Sequence, residues 1–287
     1  MPIASALRFR ILLDLAKQII FAVDKIPFQL QLLMRKTGHP RIVVPEIGQA
    51  VDIPAGTGHI AGWFVTPGRP MEAVVLLFHG IGDRIAYWRR AQHRLAESGV
   101  GSLVFHYSGY PGSSGSTTPE NLDADAHAAY AWLLSHVPPG TPIFLLGFSL
   151  GSGLAAHIAA HINPPPAGLI LCEAFTSLRD AARRITRPFS FLGNLLPDVW
   201  QTRENVCHIE LPILVVHSTG DALFPVSMAQ AIHSAAQSSG RQVDLEILTG
   251  HAHNAPYLNV PEDYWAAILR FIMRHRNTRH DTTPRPR

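Results

Sequence analysis

The chain has 287 residues, of which 47% are hydrophobic and 16% are charged, so it has ample material for a globular core. Its formal net charge is +3 at pH 7, and no basic face interleaved with aromatic side chains is evident, which argues against a nucleic-acid partner. Two cysteines cannot form a disulfide framework, so a reducing, cytoplasmic compartment is the simplest interpretation.

Residues 1–50 form an N-terminal segment with the pattern of an amphipathic helix. Its polar stripe includes Arg10, Asp14 and Lys17, and aliphatic side chains cover the remaining faces. Charged residues keep every apolar run below the roughly 20 residues needed to cross a bilayer. Three destinations for the apolar face stay open: the surface of the chain's own domain, a second subunit, or peripheral contact with a membrane through residues 1–36.

From about residue 59 onwards, short apolar runs alternate with longer helical patterns. The runs predict β-strands at 59–65, 73–78, 101–107, 142–148, 167–175, 211–218 and 243–248. The helical patterns predict helices at 84–98, 119–136, 150–162, 225–238 and 261–275. The first run is typical of an antiparallel edge strand. The alternation of buried strands and helices predicts one α/β domain at 51–277, with a mostly parallel central sheet and helices on both faces.

Two stretches depart from this alternation. Residues 176–210 are too long for a turn and too short for a separate domain, and their apolar side chains favour a small cap or lid insertion over the strand ends. Residues 278–287 are rich in Arg, Pro and Thr, so we predict a flexible basic tail there.

One predicted strand ends in the sequence LLGFSLGSG, which places Ser149 between Gly147 and Gly151. The pattern Gly-x-Ser-x-Gly between a buried strand and a helix is typical of a nucleophile elbow, in which a sharp turn exposes the serine hydroxyl. Side chains in place of the two glycines would clash with the neighbouring helix and strand. A serine hydroxyl is a weak nucleophile unless a base takes its proton and the resulting oxyanion is stabilised. The rest of the chain must therefore supply both functions.

Two backbone N–H groups are candidates for an oxyanion hole. Leu150 follows Ser149 at the N-terminus of a predicted helix, where amide groups have no helical partner. Ile81 follows His79 and Gly80 in the loop after the strand 73–78, which is the second position expected for such a donor.

Loops after the later strands offer an acid and a base. Asp221 lies in a Gly-Asp turn after the strand 211–218, and Glu173, at the end of the preceding strand, is an alternative acid. His251 and His253 both follow the last strand. The chain order of serine, acid and histidine is the order that α/β hydrolases use for their triad.

In combination, these motifs resemble the α/β-hydrolase superfamily, specifically the lid-poor, serine-aminopeptidase-like branch that includes protein depalmitoylases. The resemblance covers about residues 59–275 and rests on FHGIGD, YSGYPGSSG, GFSLGSG, EAFTS, HSTGDALFP and GHAHN, in that order. The branch commonly has Gly-x-x-His-Asn-Asp around its histidine, which favours His253 over His251 as the base, with Ala255 in place of the aspartate. The loop 107–115 is implied to shape the floor of the site.

The resemblance implies a serine hydrolase that cleaves small carboxylic esters or thioesters through an acyl-enzyme. Ser149 would be the nucleophile, His253 the base and Asp221 the orienting acid. No metal or cofactor is implied: His157 and His161 are four residues apart on one helix, but the glutamate of a zincin motif is missing. An aminopeptidase-like peptidase or amidase, and a catalytically silent binding protein, are the alternatives. The sequence does not indicate an oligomeric state.

Overall fold

The computed structural model describes residues 47–56, 58–185, 190–195 and 199–277. Most of the N-terminal segment and the basic tail lie outside these ranges, so the amphipathic helix, its membrane contact and the flexible tail stay predictions. Within the described ranges, no helix is both long and apolar enough to cross a bilayer.

Eight strands of the described chain form one sheet. They are β1 Gln49–Ala55, β2 Gly58–Val65, β3 Ala73–Phe78, β4 Val100–Phe105, β5 Ile143–Phe148, β6 Gly168–Cys172, β7 Ile213–Ser218 and β8 Val243–Leu248. Their spatial order is β1-β2-β4-β3-β5-β6-β7-β8. The strand β2 pairs antiparallel with β1 and with β4, and every other pair is parallel. The predicted mostly parallel sheet is confirmed.

Helices connect most of these strands. The helices are α1 Arg89–Glu97, α2 Pro119–His136, α3 Leu150–Ala159, α4 Leu178–Ile185, α5 Thr202–Asn205, α6 Val226–Ser238, α7 Ala255–Leu258 and α8 Glu262–His275. Short 3-10 turns lie at Ile85–Trp88, Ser190–Leu195 and Val206–His208. The five predicted helices correspond to α1, α2, α3, α6 and α8, with small shifts at their ends. Helices α4, α5 and α7 are too short to show a clear helical period in the sequence.

The prediction that residues 59–65 form an edge strand is wrong, because β1 pairs along the outer side of β2. The strand β1 alternates partly buried Val51 and buried Ile53 with exposed Asp52 and Pro54. Proline lacks an N–H for the ladder and is tolerated on an edge strand, where one side of the backbone has no partner. Because of Pro54 and the charge of Asp52, the sequence does not show clearly that buried and exposed residues alternate along β1.

Both faces of the central strands are buried because helices cover both. Along β3, Val74, Leu76 and Phe78 pack into the core that includes α2, α3 and α6. Val75 and Leu77 pack into the opposite core with α1 and α8. The carboxyl ends of the parallel strands are therefore the part of the sheet where loops can form a site.

The segment 176–210 contains α4, α5 and two 3-10 turns among its described residues. The Arg184 Nε donates to the carbonyl oxygen of Leu223 at 2.7 Å, which attaches α4 to the loop after β7. The buried Trp200 lies against Gly153 of α3. The segment thus contacts two elements at the carboxyl edge of the sheet, and its role as a cap stays a prediction.

Candidate active site

Ser149 occupies the junction between β5 and α3. Its backbone has φ 51° and ψ −118°, outside the regions that residues other than glycine usually adopt, and such a conformation costs about 1–3 kcal/mol. The Ser149 N–H donates to the carbonyl oxygen of Cys172 at 3.0 Å, which fixes the turn against the end of β6. This is the sharp strand-to-helix turn expected for the pattern Gly-x-Ser-x-Gly.

The glycines on either side of Ser149 allow the surrounding backbone to approach closely. A Cβ atom at Gly147 would lie 2.4 Å from the carbonyl oxygen of Gly151 in α3. A Cβ atom at Gly151 would lie 2.1 Å from the carbonyl oxygen of Phe78 in β3. The predicted clashes with the neighbouring helix and strand are confirmed.

Replacing Gly151 with alanine should destabilise the protein strongly. Because the added methyl group would meet backbone atoms, the strand and helix must separate, and we expect a loss of about 3 kcal/mol or more in the free energy of unfolding. Urea unfolding of the full chain measures this loss. Gly68→Ala is the control, since a Cβ atom there meets nothing within 4 Å. A Gly151→Ala protein as stable as Gly68→Ala would contradict this close packing of α3 on β3.

Asp221 and His253 form a hydrogen-bonded pair. The His253 Nδ1 lies 2.8 Å from Asp221 Oδ2, and the other oxygen of Asp221 accepts the N–H groups of Leu223 at 2.7 Å and Phe224 at 3.0 Å. Burial alone would raise the pKa of Asp221, but the neighbouring His253 and these hydrogen bonds outweigh burial and lower it. The His253 ring packs on Phe148, the residue before Ser149, at 5.0 Å between centroids. The structure therefore places the acid and the histidine beside the serine turn.

The N–H groups of Ile81 and Leu150 have no acceptor among the described residues. Leu150 is the first residue of α3, and Ile81 lies in the loop after β3. The Gly80 N–H donates to Asp83 Oδ2 at 2.9 Å, which closes this loop into a compact turn. Both proposed donors are thus available to a ligand.

Comparison with known proteins now identifies the family. A family model for the α/β-hydrolase fold matches residues 73–189. An uncharacterized protein of Mycobacterium tuberculosis is 33% identical over 219 residues, and the alignment covers 74% of each chain. The chain belongs to the α/β-hydrolase family.

Further relatives of this hydrolase have names that indicate ester hydrolysis. The lysophosphatidylserine lipase ABHD12 of Danio rerio is 28% identical over 198 residues, which cover 62% of this chain and 51% of that protein. The esterase Pf2001 of Pyrococcus furiosus is 18% identical, with a TM-score of 0.68 over 83% of this chain and 98% of that one. At this identity the structural similarity supports the fold alone.

The loop 107–115 of the hydrolase braces the loop that contains Ile81. The Tyr107 hydroxyl donates to the carbonyl oxygen of His79 at 2.8 Å, and the Tyr110 hydroxyl accepts the N–H of Gly82 at 3.3 Å. Burial lowers the pKa of His79 to about 3, so its ring is neutral. The loop thus supports the backbone around Ile81, and its role in shaping the floor of the site stays a prediction.

Asp83 is a functional candidate that the sequence did not single out. Its Oδ1 accepts a hydrogen bond from the hydroxyl of Tyr257 in α7 at 3.0 Å, four residues beyond His253. Burial raises the pKa of Asp83 to about 6, although the hydrogen bonds from Gly80 and Tyr257 oppose the shift. Asp83 thereby ties the loop after β3 to the turn that carries His253.

The two alternatives left open by the sequence have other partners. The His251 Nε2 is 2.9 Å from a carboxylate oxygen of Asp263 in α8, so its side chain pairs there instead of with Asp221. Glu173 is fully buried behind Asp221, and its Oε2 lies 3.5 Å from His217 Nδ1. Asp221 is thus the carboxylate that pairs with His253, His251 pairs with Asp263, and Glu173 lies next to Asp221 in a cluster with His217.

One group of potential metal ligands occurs among the described residues. It consists of Glu173, His217 and Asp221, whose ligand atoms all lie within 4.8 Å of one another. His157 and His161 are not part of it: His157 lies on α3 and His161 in the turn after it, their rings are 5.1 Å apart, and His157 lies 3.3 Å from Asp123 of α2.

Proposed function

We propose that this hydrolase cleaves carboxylic esters or thioesters through an acyl-enzyme on Ser149. The observation that carries the proposal is the 2.8 Å hydrogen bond between Asp221 and His253, with the His253 ring packed beside the serine turn. A carboxylate can only accept, so His253 holds its proton on Nδ1 and keeps the Nε2 lone pair for a second proton.

In the proposed reaction, His253 Nε2 takes the hydroxyl proton as Ser149 Oγ attacks the acyl carbon. The N–H groups of Ile81 and Leu150 stabilise the oxyanion that forms. Collapse of the tetrahedral intermediate expels the alcohol or thiol, which receives the proton from His253, and leaves an acyl-serine. A water molecule then loses a proton to His253 and attacks the acyl carbon. Collapse of this second intermediate breaks the bond to Ser149 Oγ, which takes the proton back from His253, and releases the acid. Asp221 stabilises the imidazolium in both steps.

Aliphatic acyl groups are the substrate class that the surroundings of the site support best. The ring of Phe224 packs on His253 at 5.4 Å and on Phe175 at 5.7 Å between centroids. Apolar surroundings next to His253 favour an apolar acyl chain over a charged peptide terminus. The name of one relative, a lysophosphatidylserine lipase, points to an acyl ester substrate as well.

A fluorophosphonate probe tests the proposal directly, because it reacts with activated serines. We expect the full-length chain to be labelled at Ser149, and esters and thioesters of graded acyl length to compete with the label. Absence of labelling in a folded protein would favour the catalytically silent alternative. If Ser149 is labelled but no ester or thioester in the series is hydrolysed, amides become the expected substrate class.

Replacing Asp221 with asparagine should lower kcat by up to about 10⁴-fold. The asparagine amide can donate to His253 Nδ1 and thereby favours the wrong imidazole tautomer, while its oxygen can still accept from Leu223 and Phe224. Initial rates with p-nitrophenyl butyrate measure the loss. Asp263→Asn is the matched control, because Asp263 pairs with His251. A mild Asp221→Asn together with a severe Glu173→Gln would make Glu173 the catalytic acid.

A further inference from the structure

Glu173 is a fully buried carboxyl group with a constrained backbone. It follows β6 directly and has φ 46°, a left-handed conformation that a residue other than glycine keeps only when its surroundings impose it. Its N–H donates to the carbonyl oxygen of Val216 at 3.1 Å, and its Oε2 accepts the N–H of Ser218 at 3.3 Å. Glu173 is thus anchored to β7, immediately before the loop that carries Asp221.

A negative charge on Glu173 would be poorly compensated. His217 is the only basic side chain of the described residues within 4.0 Å, and Glu173 Oε1 has no hydrogen-bond partner among them. Asp221, in contrast, accepts two backbone N–H groups and the His253 ring. Neighbouring buried carboxyl groups do not both ionise at neutral pH, and the better-solvated one keeps the charge.

Apart from Asp221, the titratable groups that face Glu173 have pKa values shifted towards their neutral forms. Burial and the charge of Asp221 raise the pKa of Glu173. Burial also raises the pKa values of Tyr264 in α8 and Cys172 in β6, and it lowers the pKa of His217. Nothing around the carboxyl group therefore supplies a positive charge that would hold it ionised.

His217 connects Glu173 to the loop that carries Asp221. Its Nε2 lies 3.1 Å from the carbonyl oxygen of Phe224, an acceptor, so the ring proton is on Nε2. The lone pair of Nδ1 then has no partner among the described residues and faces Glu173 Oε2 at 3.5 Å. The Phe224 N–H donates to Asp221 Oδ1. A series of contacts thus runs from Glu173 through His217 and Phe224 to Asp221.

We infer that Glu173 is a positioning residue that carries a proton in the working enzyme and offers it to His217 Nδ1, which fixes the loop presenting Asp221 to His253. The inference rests on the proposed function, because it assigns the single negative charge of the site to Asp221. A cation held by Glu173, His217 and Asp221 is the competing explanation of the same cluster, and it would require Glu173 to be ionised.

The pH dependence of stability distinguishes a protonated from an ionised Glu173. A carboxyl group with a raised pKa in the folded state contributes full stability below its ordinary pKa of 4.5, and this contribution is lost as pH rises. Glutamine at this position does not titrate. The unfolding equilibrium constant of wild type relative to Glu173→Gln should therefore rise with pH, by up to about tenfold per unit above about pH 5.

Urea unfolding of the full-length chain between about pH 5 and pH 8 gives this comparison. Glu210→Gln is the matched control: the Glu210 side chain is 87% exposed, and its difference from wild type should stay nearly constant with pH. The inference is overturned if the difference in unfolding free energy between wild type and Glu173→Gln is constant with pH or changes in the opposite direction, because either result shows an ionised Glu173. Metal analysis of the same protein would then show whether a cation is the cause.

Activity provides the second readout. Glu173→Gln retains an N–H donor for His217 Nδ1 and should lose less than about threefold in kcat, whereas Glu173→Leu cannot donate and should lose about tenfold or more. We expect KM for p-nitrophenyl butyrate to change little in either variant, because Glu173 does not touch the substrate. A loss in Glu173→Gln equal to that in Asp221→Asn would overturn the inference.

The two proposals can fail separately. If fluorophosphonate does not label Ser149, the proposed function fails, but the stability comparison still reports the protonation of Glu173. If labelling succeeds and the stability trend is absent, the inference on Glu173 fails while the proposed function stands. If the Glu173→Leu protein does not fold, the comparison of wild type with Glu173→Gln still tests the inference.

Discussion

Replacing Ser149 with alanine is expected to reduce kcat for ester hydrolysis by about 10⁶-fold, the size of loss that follows removal of a triad nucleophile. The variant retains the N–H groups of Ile81 and Leu150 and can still bind substrate, but it cannot form an acyl-enzyme. Initial rates with p-nitrophenyl butyrate and covalent labelling by fluorophosphonate both measure the loss.

The fold of the Ser149→Ala variant should be intact. Ser149 is small, and the change removes one oxygen atom, so no cavity of consequence forms. Ser152→Ala is the matched control, since Ser152 lies on the same turn and its hydroxyl donates to the carbonyl oxygen of Ser149 at 2.6 Å. We expect Ser152→Ala to keep its labelling. Hydrolysis by Ser149→Ala at the wild-type rate would rule out Ser149 as the nucleophile.

Replacing His253 with alanine should be nearly as damaging as replacing Ser149, because removal of either member of a serine–histidine pair disables the same step. His251→Ala should lose about tenfold or less, through disturbed packing of the loop after β8. The His251 ring pairs with Asp263 on α8, whereas the His253 ring is held by Asp221. The two histidines therefore differ in their hydrogen-bond partners as well as in their positions in the sequence motif.

Rates of acyl-enzyme formation, measured across pH for both histidine variants, check this ranking. Wild type and His251→Ala should share the dependence on one basic group in its neutral form, and His253→Ala should lack it. The reverse ranking would assign the base to His251 and would require the Asp263 contact to break during the reaction.

The parts of the molecule that sequence predicted well are those with a local signal. The strands β3 and β8 match the apolar runs, and the position of α2 follows from Thr118 and Pro119 at its start. The turn at Ser149 was readable because its glycines lie two residues away on each side, where the approach of backbone atoms excludes a side chain.

Contacts between distant residues account for what the sequence could not supply. Asp83 and Tyr257 are 174 positions apart, and neither has a neighbour in the chain that indicates the other. The choice between Asp221 and Glu173 depends on which carboxyl group receives N–H donors, and this is decided by the loop after β7. The burial of these two carboxyl groups depends on the pairing of β6 with β7, which the sequence does not show.

The hydrogen bond between Asp83 and Tyr257 bears on how this protein matures during synthesis. The ribosome makes Ser149, Ile81 and Leu150 early, but the proposed base and the hydroxyl that anchors Asp83 both lie beyond residue 250. A nascent chain that stops before residue 250 has the proposed nucleophile without the proposed base, and the loop that contains Ile81 without the hydroxyl of Tyr257. The proposed esterase activity should therefore arise in a single late event, when the turn with His253 and α7 docks, and truncated chains should not be partly active in the cell.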